Sequence, residues 1–255
     1  MNRFEGRKTL ITGAGSGIGQ ATVARILAEG GVVAAADVSE EGLAVTRARA
    51  EEAGAADRLT TVVVDISNEA SVQEAIGGAI KDLGGLQVLI NAAGILRASH
   101  THETSLDFWN KVIGVNLTGT FLVTREALPA LVENGQGVVV NFSSTSASFA
   151  HPYMAAYAAT KGGIRSFTHA IALEYAKAGL RAVAVEPGSI ASGMTSNPGF
   201  PEHDLDPTLI GKLYPWIGEG FAPPEDVAGV IAMLASDDGK FVTGTEIRID
   251  GGTHM

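Results

Sequence analysis

The chain of 255 residues is 45% hydrophobic and 18% charged, with 32 glycines and 9 prolines, which fits one compact α/β domain and excludes a disordered or collagen-like chain. Its net charge of −10, without any Lys- or Arg-rich run, argues against nucleic acid and anionic membranes as partners. The absence of cysteine excludes disulfides, thiolate metal sites and a cysteine nucleophile.

The first residues, MNRFEGRKTLITGAG, run directly into a predicted strand and contain no apolar signal region. No apolar run reaches the ~18 residues that are needed to cross a bilayer. We therefore expect a cytoplasmic protein.

Short apolar runs alternate along the chain with longer stretches of helical periodicity. The predicted strands cover residues 9–12, 32–37, 60–65, 86–91, 137–143, 181–186 and 245–249. The predicted helices cover residues 18–29, 40–53, 69–83, 105–133, 154–178 and 225–236. Thr104 and Asp107 have the spacing of a capping box at the start of the fourth helix. Because the strands are almost continuously apolar, we predict a Rossmann-type α/β fold, a doubly wound parallel sheet of seven strands flanked by helices, in a single domain over residues 1–255.

Residues 189–223 interrupt this alternation. The segment combines many of the prolines and glycines with large apolar side chains, namely Met194, Phe200, Leu205, Leu209, Leu213, Tyr214, Trp216 and Phe221. A loop of this length in a compact domain is usually functional, which predicts a substrate-binding lid over an apolar ligand. Packing of these residues on the body or on a neighbouring subunit is the alternative.

The motif TGAGSGIG occupies residues 12–19, after the first strand and at the start of the first helix. Glycines in this context let the backbone approach a pyrophosphate, and the helix N-terminus faces its negative charge. Gly13, Gly17 and Gly19 are spaced G-x-x-x-G-x-G rather than G-x-G-x-x-G. An ordinary strand-to-helix turn needs one or two glycines instead of four in seven residues, so the motif favours a dinucleotide site.

Asp37 ends the second strand about twenty residues after the glycine motif, where a carboxylate can accept hydrogen bonds from the adenosine ribose. The same charge repels a 2′-phosphate, and neither Ser16 nor Val38 offers a basic side chain to pair with one. The sequence therefore predicts NAD rather than NADP. A helix N-cap is the alternative role of Asp37, although Ser39 can fill it.

Polar side chains also end the third and fourth strands, at Asp65 and Asn91, and Ala92, Ala93 and Gly94 follow the latter. The carboxyl ends of parallel strands form the ligand crevice of such a sheet, so these residues are predicted to meet the cofactor. Each of them alone is also compatible with a turn that ends a strand.

Further motifs follow in order: Asn116 in GVNLTGTF, a set of Ser144, Tyr157 and Lys161, PG at 187–188 and DGG at 250–252. Together with TGAGSGIG, Asp65 and NAAG at 91–94, they resemble the classical short-chain dehydrogenase/reductase family. The resemblance runs from about residue 8 to residue 252. It implies a homotetramer built through the long helices and the C-terminal strand.

Tyr157 and Lys161 are four positions apart in AAYAATKGG, and therefore on one face of a helix. Hydride transfer to a ketone leaves an alkoxide that must gain a proton, which a tyrosine of pKa ~10 exchanges poorly near neutral pH. An ammonium at ~4 Å attracts the phenolate by ~4 kcal/mol at an effective dielectric of ~20, which lowers the phenol pKa by up to ~3 before desolvation is counted. We therefore predict Tyr157 as the acid/base, with its pKa lowered by Lys161. An exposed pair without a catalytic role is the alternative.

The family resemblance implies three further catalytic roles. Lys161 also holds the nicotinamide ribose. Ser144 hydrogen-bonds the substrate oxygen, with Ser143 as the competing choice. Asn116 holds a water that leads protons from the lysine to bulk solvent.

The resemblance also implies that Pro187, Gly188 and Ile190 line the nicotinamide carboxamide, with Ser192 where the family often has threonine. The predicted dinucleotide contacts are Gly13, Ser16, Gly17, Ile18, Gly19, Asp37, Val38, Asp65, Ile66, Asn91, Ala92, Ala93, Gly94, Tyr157, Lys161, Pro187, Gly188, Ile190 and Ser192.

The predicted function is an NAD(H)-dependent oxidoreductase that interconverts a secondary alcohol and a ketone, with a hydrophobic or alicyclic substrate such as a steroid or terpenoid. A 3-oxoacyl-thioester reductase that acts on acyl carrier protein or CoA esters is the main alternative, and a non-catalytic dinucleotide-binding regulator is an alternative of another class. No metal is predicted, because no carboxylate or thiol cluster completes the H-x-H pair of His100 and His102. Both are expected in an exposed loop after the NAAG turn, and contact of either with substrate stays open.

Overall fold

The structure, a computed structural model, describes residues 2–133, 135–196, 198–218 and 220–255. Within these residues, one parallel sheet is formed by β1 (Lys8–Thr12), β2 (Val32–Asp37), β3 (Leu59–Val63), β4 (Val88–Asn91), β5 (Val138–Phe142), β6 (Arg181–Pro187) and β7 (Thr245–Ile249). The strand order is β3-β2-β1-β4-β5-β6-β7, so the direction of winding reverses between β1 and β4. The predicted fold class is confirmed.

The helices of the described residues are α1 (Gly17–Ala28), α2 (Glu40–Glu52), α3 (Glu69–Leu83), α4 (Leu106–Ile113), α5 (Gly119–Glu133), α6 (Ala155–Glu174), α7 (Gly193–Ser196), α8 (Pro207–Ile210) and α9 (Pro224–Ala235). Several of them begin with side-chain caps; for example, Ser39 accepts a bond from Gly42 N before α2, and Asn68 accepts one from Ser71 N before α3. No helix among the described residues combines the length and apolar character that a membrane crossing requires.

The predicted helix over residues 105–133 is not continuous. A π-helical segment, Gly114–Thr118, separates α4 from α5. The predicted capping box at Thr104 is also wrong, because the Thr104 hydroxyl donates to His100 O at 3.0 Å and so stays with the preceding turn. Ser105 caps α4 instead and accepts a bond from Phe108 N at 3.1 Å.

Both faces of the sheet are buried, which explains the continuous apolar runs of the strands. Leu10, Leu89 and Val139 stand side by side across three strands and pack against α3, α5 and α6. The next residues along each strand, for example Ile11 and Ile90, point to the other face and pack against α1 and α9. This two-sided core leaves the carboxyl ends of the strands as the polar edge of the sheet.

Candidate active site

A cavity of about 740 Å³ lies at the carboxyl ends of the strands, near the reversal of strand order. This is where open parallel sheets bind ligands. The cavity wall begins at the glycine motif and the end of β2, passes the ends of β4 and β5, and reaches the lid segment 189–223. All predicted site residues except Asn91 and Asn116 contribute to this wall.

The glycine motif is shaped by contacts within the protein. Gly13 has φ of 70°, and a Cβ there would lie 2.6 Å from Ala93 N. A Cβ on Gly19 would lie 2.1 Å from Gly13 O. Larger residues at either position would therefore separate the motif from β4 or from its own first turn. Gly17 begins α1 on the cavity wall, so the N-terminus of that helix faces the cavity.

Asp37 is fixed at the end of β2 by two backbone donors. Its carboxylate accepts from Gly15 N and from Ser39 N, both at 2.9 Å. Ser39 is the residue that caps α2, so the alternative role of Asp37 as that N-cap does not apply. The carboxylate joins the glycine motif to the β2 end of the cavity, where Ser16 and Val38 also line the wall.

The two other strand ends behave differently from each other. Asp65 lines the cavity, and its carboxylate accepts from Ser67 N at 2.9 Å and Ser67 Oγ at 2.7 Å. Asn91 is buried, and its amide donates to Thr124 Oγ1 at 2.9 Å and to Asn141 Oδ1 at 2.8 Å. Neighbouring polar groups of α5 and β5 hold the Asn91 side chain, which does not line the cavity, and its predicted contact with the cofactor stays a prediction.

Tyr157 and Lys161 project from the first turns of α6, and both side chains are buried at the cavity wall. The Lys161 Nζ atom lies 5.4 Å from the centroid of the Tyr157 ring. It donates to Phe142 O, at the end of β5, at 2.7 Å. The predicted pair is therefore brought together on one helix face and anchored to the sheet.

The protonation of this pair differs from the prediction. Burial raises the pKa of Tyr157 to about 12, and a hydrogen bond with Ser144 opposes that rise. Burial also lowers the pKa of Lys161 to about 8. The predicted lowering of the Tyr157 pKa is wrong, because loss of hydration destabilises the phenolate more than its surroundings stabilise it. At neutral pH the phenol is protonated and can donate a proton.

The two serines after β5 have different partners. Ser143 Oγ donates to Lys161 O at 2.9 Å, which ties it to the backbone of α6. Ser144 caps the short turn Thr145–Ala147, and its hydroxyl lies near enough to the Tyr157 phenol to oppose the rise of the phenol pKa. The geometry therefore favours Ser144 as the serine that works with the tyrosine.

Asn116 lies in the π-helical segment and is fully buried behind the wall. Its Oδ1 accepts from Ile95 N at 2.7 Å and its Nδ2 donates to Ile95 O at 2.9 Å. A Cβ on Gly94 would lie 3.1 Å from this Oδ1 and 3.7 Å from Lys161 Nζ. The amide and the ammonium thus approach the same glycine, and π-helical turns often occur at such functional positions.

Sequence reasoning missed several polar residues of the wall, among them Lys111 and His151. Burial, together with the neighbouring His254, lowers the pKa of His151 to about 4, so the ring is neutral at neutral pH. Its Nε2 lies 3.2 Å from Thr145 Oγ1. The position of His151 in the sequence, between the serine and tyrosine motifs, could have indicated a place near the site. The position of Lys111 within a predicted helix gives no such indication.

The lid segment supplies much of the apolar wall. Its lining side chains include Met194, Phe200, Leu213, Tyr214 and Phe221. Three of these, Met194, Phe200 and Leu213, pack around a buried cluster formed by Leu96, Ala98, Met154 and Tyr157. Trp216, in contrast, is 78% exposed and does not line the cavity. We call this apolar part of the cavity the apolar chamber.

Residues 13–254 match a family model described as enoyl-(acyl carrier protein) reductase. The 2,5-dichloro-2,5-cyclohexadiene-1,4-diol dehydrogenase LinX of Sphingobium indicum is 36% identical over 253 residues, which cover 98% of this chain and 97% of LinX. The 3-oxoacyl-[acyl-carrier-protein] reductase FabG of Thermotoga maritima is 37% identical over 250 residues, 98% of each chain.

A solved structure extends this similarity to the fold. The crystal structure of 3-ketoacyl-(acyl-carrier-protein) reductase from Brucella melitensis complexed with NADH has a TM-score of 0.86 and 30% sequence identity. The match covers 98% of this chain and 99% of that one. Fold, cavity and relatives agree: the chain belongs to the short-chain dehydrogenase/reductase family.

Proposed function

We propose that this protein is an NAD(H)-dependent oxidoreductase that interconverts a secondary alcohol and a ketone. The observation that carries the proposal is the shared position of Ser144, Tyr157 and Lys161 on the wall between the glycine motif and the apolar chamber. A substrate carbon in the chamber is thus next to a proton donor. The non-catalytic regulator is disfavoured because a protein without turnover has no need for this arrangement.

The buried residues fit a dinucleotide with ribose hydroxyls. The Lys161 ammonium has three donors and is buried, and Phe142 O is the acceptor found for it within the described residues. Buried donors require partners, which ribose hydroxyls supply. At the far end, the Asp37 carboxylate favours hydroxyls over a 2′-phosphate, so we propose NAD rather than NADP.

When bound, the nicotinamide supplies or accepts the hydride. Ser144 and Tyr157 hold the substrate oxygen, and the raised pKa of Tyr157 keeps its proton ready for donation to a ketone being reduced. Lys161, with a pKa of about 8, is largely protonated at neutral pH and provides positive charge beside the phenol. Asn116 steadies the Ile95 backbone next to Gly94 and Lys161.

The apolar chamber favours a hydrophobic or alicyclic substrate, and LinX by its name acts on a cyclic diol. A 3-oxoacyl-thioester reductase is the second candidate, since FabG is similar to the same degree. Use of NADH does not distinguish an alcohol dehydrogenase from a 3-oxoacyl-thioester reductase, because the Brucella melitensis reductase is complexed with NADH. A panel of cyclic ketones against acetoacetyl-CoA separates them. A homotetramer and a cytoplasmic location stay predictions.

Tyr157→Phe tests the proposed function. It removes the proton donor, so we expect turnover of a reducible ketone to fall by ~10²–10⁴-fold while the NADH dissociation constant stays within a factor of two or so. Turnover is followed by NADH absorbance and binding by NADH fluorescence. Tyr175→Phe, at the other end of α6, is the matched control and should retain activity. Undiminished turnover in Tyr157→Phe would rule out the assigned acid.

A further inference from the structure

A group of side chains that commonly bind metal ions lies outside the cavity wall. His100 precedes a single 3-10 turn, Thr101–Glu103, and Glu103 is the last residue of that turn. Their spacing of three residues places both side chains on one side of the turn. His203 comes from the lid, and its Nε2 lies 3.1 Å from Glu103 Oε1. The ligand atoms of the three residues all lie within 4.8 Å of one another. No metal was predicted here, because His203 lies a hundred residues from Glu103 along the chain.

Two imidazoles and one carboxylate form the donor set of zinc sites that keep an open position. With metal–ligand distances of ~2.0–2.2 Å, the ligand atoms of a tetrahedral site lie about 3.3 Å apart. The contact between His203 and Glu103 already has nearly this length. The remaining ligand atoms lie within 4.8 Å of one another, and rotation of the exposed Glu103 and His203 side chains can bring them to this spacing. His102 adds a third imidazole, with its Nε2 3.7 Å from the same Glu103 oxygen.

A simple ion pair explains fewer of these contacts. It accounts for His203 and Glu103, and His100 Nε2 is held separately at 3.0 Å from the backbone oxygen of His203. Neither contact requires the ring nitrogen of His100 to lie within 4.8 Å of the Glu103 carboxylate, as it does. The protein contains a suitable comparison in His169 and Glu246, which lie 3.1 Å apart on the surface. In the described part of the chain, that pair is not joined by a third ligand group.

We propose that His100, Glu103 and His203 bind one divalent transition-metal ion of the zinc type, and that this ion holds the lid on the body. The lid already touches the body on both sides of His203. Ala98 N donates to Pro198 O at 3.0 Å, and Asp206 N donates to the Tyr153 hydroxyl at 2.9 Å. A metal between these two contacts would close the outer side of the apolar chamber.

The binding experiment uses untagged protein stripped with a chelator and titrated with ZnCl₂ by calorimetry. We expect one Zn²⁺ per chain in the wild type and at least about 10-fold weaker binding in His203→Ala and in Glu103→Gln. His169→Ala, which removes a half-exposed histidine with one carboxylate neighbour, should bind like the wild type. Equal binding in the wild type and His203→Ala, or no binding to the wild type, overturns the site.

Limited proteolysis tests the effect on the lid. Zn²⁺ should slow cleavage within residues 189–223 several-fold in the wild type and leave the rate in His203→Ala unchanged. Circular dichroism confirms that the variant is folded. Cleavage that Zn²⁺ does not slow in the wild type, or slows equally in the variant, overturns the role of the ion as a lid clamp.

Discussion

The cavity has a sheet half, formed by the glycine motif and the ends of the strands, and a lid half, formed by residues 189–223. The two halves are held in different ways. Against the sheet, hydrogen bonds fix the chemical groups. Two of these bonds are buried, Lys161 to Phe142 O and Ser143 to the backbone of α6, and the bond of Gly15 N to the Asp37 carboxylate is partly buried. The lid is held mainly at its base, where residues 190 and 222 form an isolated bridge, and at a few points along its length. One of those is Asp206 N, which donates to the Tyr153 hydroxyl of the body at 2.9 Å.

This difference separates two tasks. Proton transfer needs groups held within a fraction of an ångström, which a sheet edge with buried bonds supplies. Substrate entry needs a cover with fewer ties to the body, and loops of this kind are commonly drawn from the less stable parts of a fold. The terminal DGG connects the two halves. A Cβ on Gly188 would lie 2.8 Å from Asp250 Cβ, while Gly251 O accepts from Trp216 N at 2.9 Å.

Of the changes that distinguish the two halves of the cavity, the largest is expected in the sheet half, at Asp37. Asp37→Asn keeps an oxygen acceptor for the backbone but removes the negative charge that opposes a 2′-phosphate. We expect the ratio of kcat/KM for NADPH to that for NADH to rise ~10–100-fold, in line with the ~1.5–3 kcal/mol of a hydrogen bond to a charged group. Steady-state kinetics with both cofactors measures it.

Asp65→Asn is the matched control for that variant. It removes one carboxylate charge from the same cavity wall, at the end of the neighbouring strand β3. The NADPH preference should change by less than a factor of about three. If Asp65→Asn shifts the ratio as much as Asp37→Asn does, overall cavity charge rather than the ribose contact determines cofactor choice.

A smaller effect is expected in the lid half, at Leu213. Leu213→Ala removes apolar surface from the chamber, and we expect KM for a bulky cyclic ketone to rise about 10-fold, which corresponds to ~1.5 kcal/mol of lost burial. For a small ketone that does not reach this wall, KM should stay nearly constant. Trp216→Ala is the control, since this larger side chain belongs to the same lid but points to solvent. Equal KM changes in both variants would mean that the lid acts only through its stability.

The sequence predicted the sheet half far better than the lid half, for physical reasons. The strands are buried on both faces, so their apolar runs marked them within a few residues, and the glycine motif was visible because Gly13 and Gly19 tolerate no Cβ. Local sequence patterns do not show which side chains meet when distant segments of the chain come together. The amide of Asn91 faces Asn141 instead of the cavity, and His203 meets Glu103 across the fold.

The pKa of Tyr157 was mispredicted for a related reason. Helical spacing correctly placed Lys161 beside it, but spacing does not reveal how deeply both groups are buried. Burial raises the pKa of the phenol and lowers that of the ammonium, so the attraction estimated from distance alone had the wrong net result. The same limit applies to the π-helical segment around Asn116, which has the periodicity of an ordinary helix in the sequence.

The last expected effect concerns stability rather than catalysis: the burial of the Lys161 ammonium in the sheet half lowers the stability of the folded protein. Burial lowers the pKa of Lys161 from 10.5 to about 8, so between these values the unfolded chain binds the proton that the folded chain has lost. Stability of the wild type should therefore rise with pH across this window relative to Lys161→Met, by at most about 1.4 kcal/mol per pH unit. Urea unfolding from pH 7 to 10.5 measures the difference. Lys212→Met, which removes an exposed ammonium from the lid, gives the baseline. A stability difference between wild type and Lys161→Met that stays constant over this range would show that the folded protein holds this ammonium without a free-energy cost. The buried cation would then not distinguish the sheet half of the cavity from the lid half.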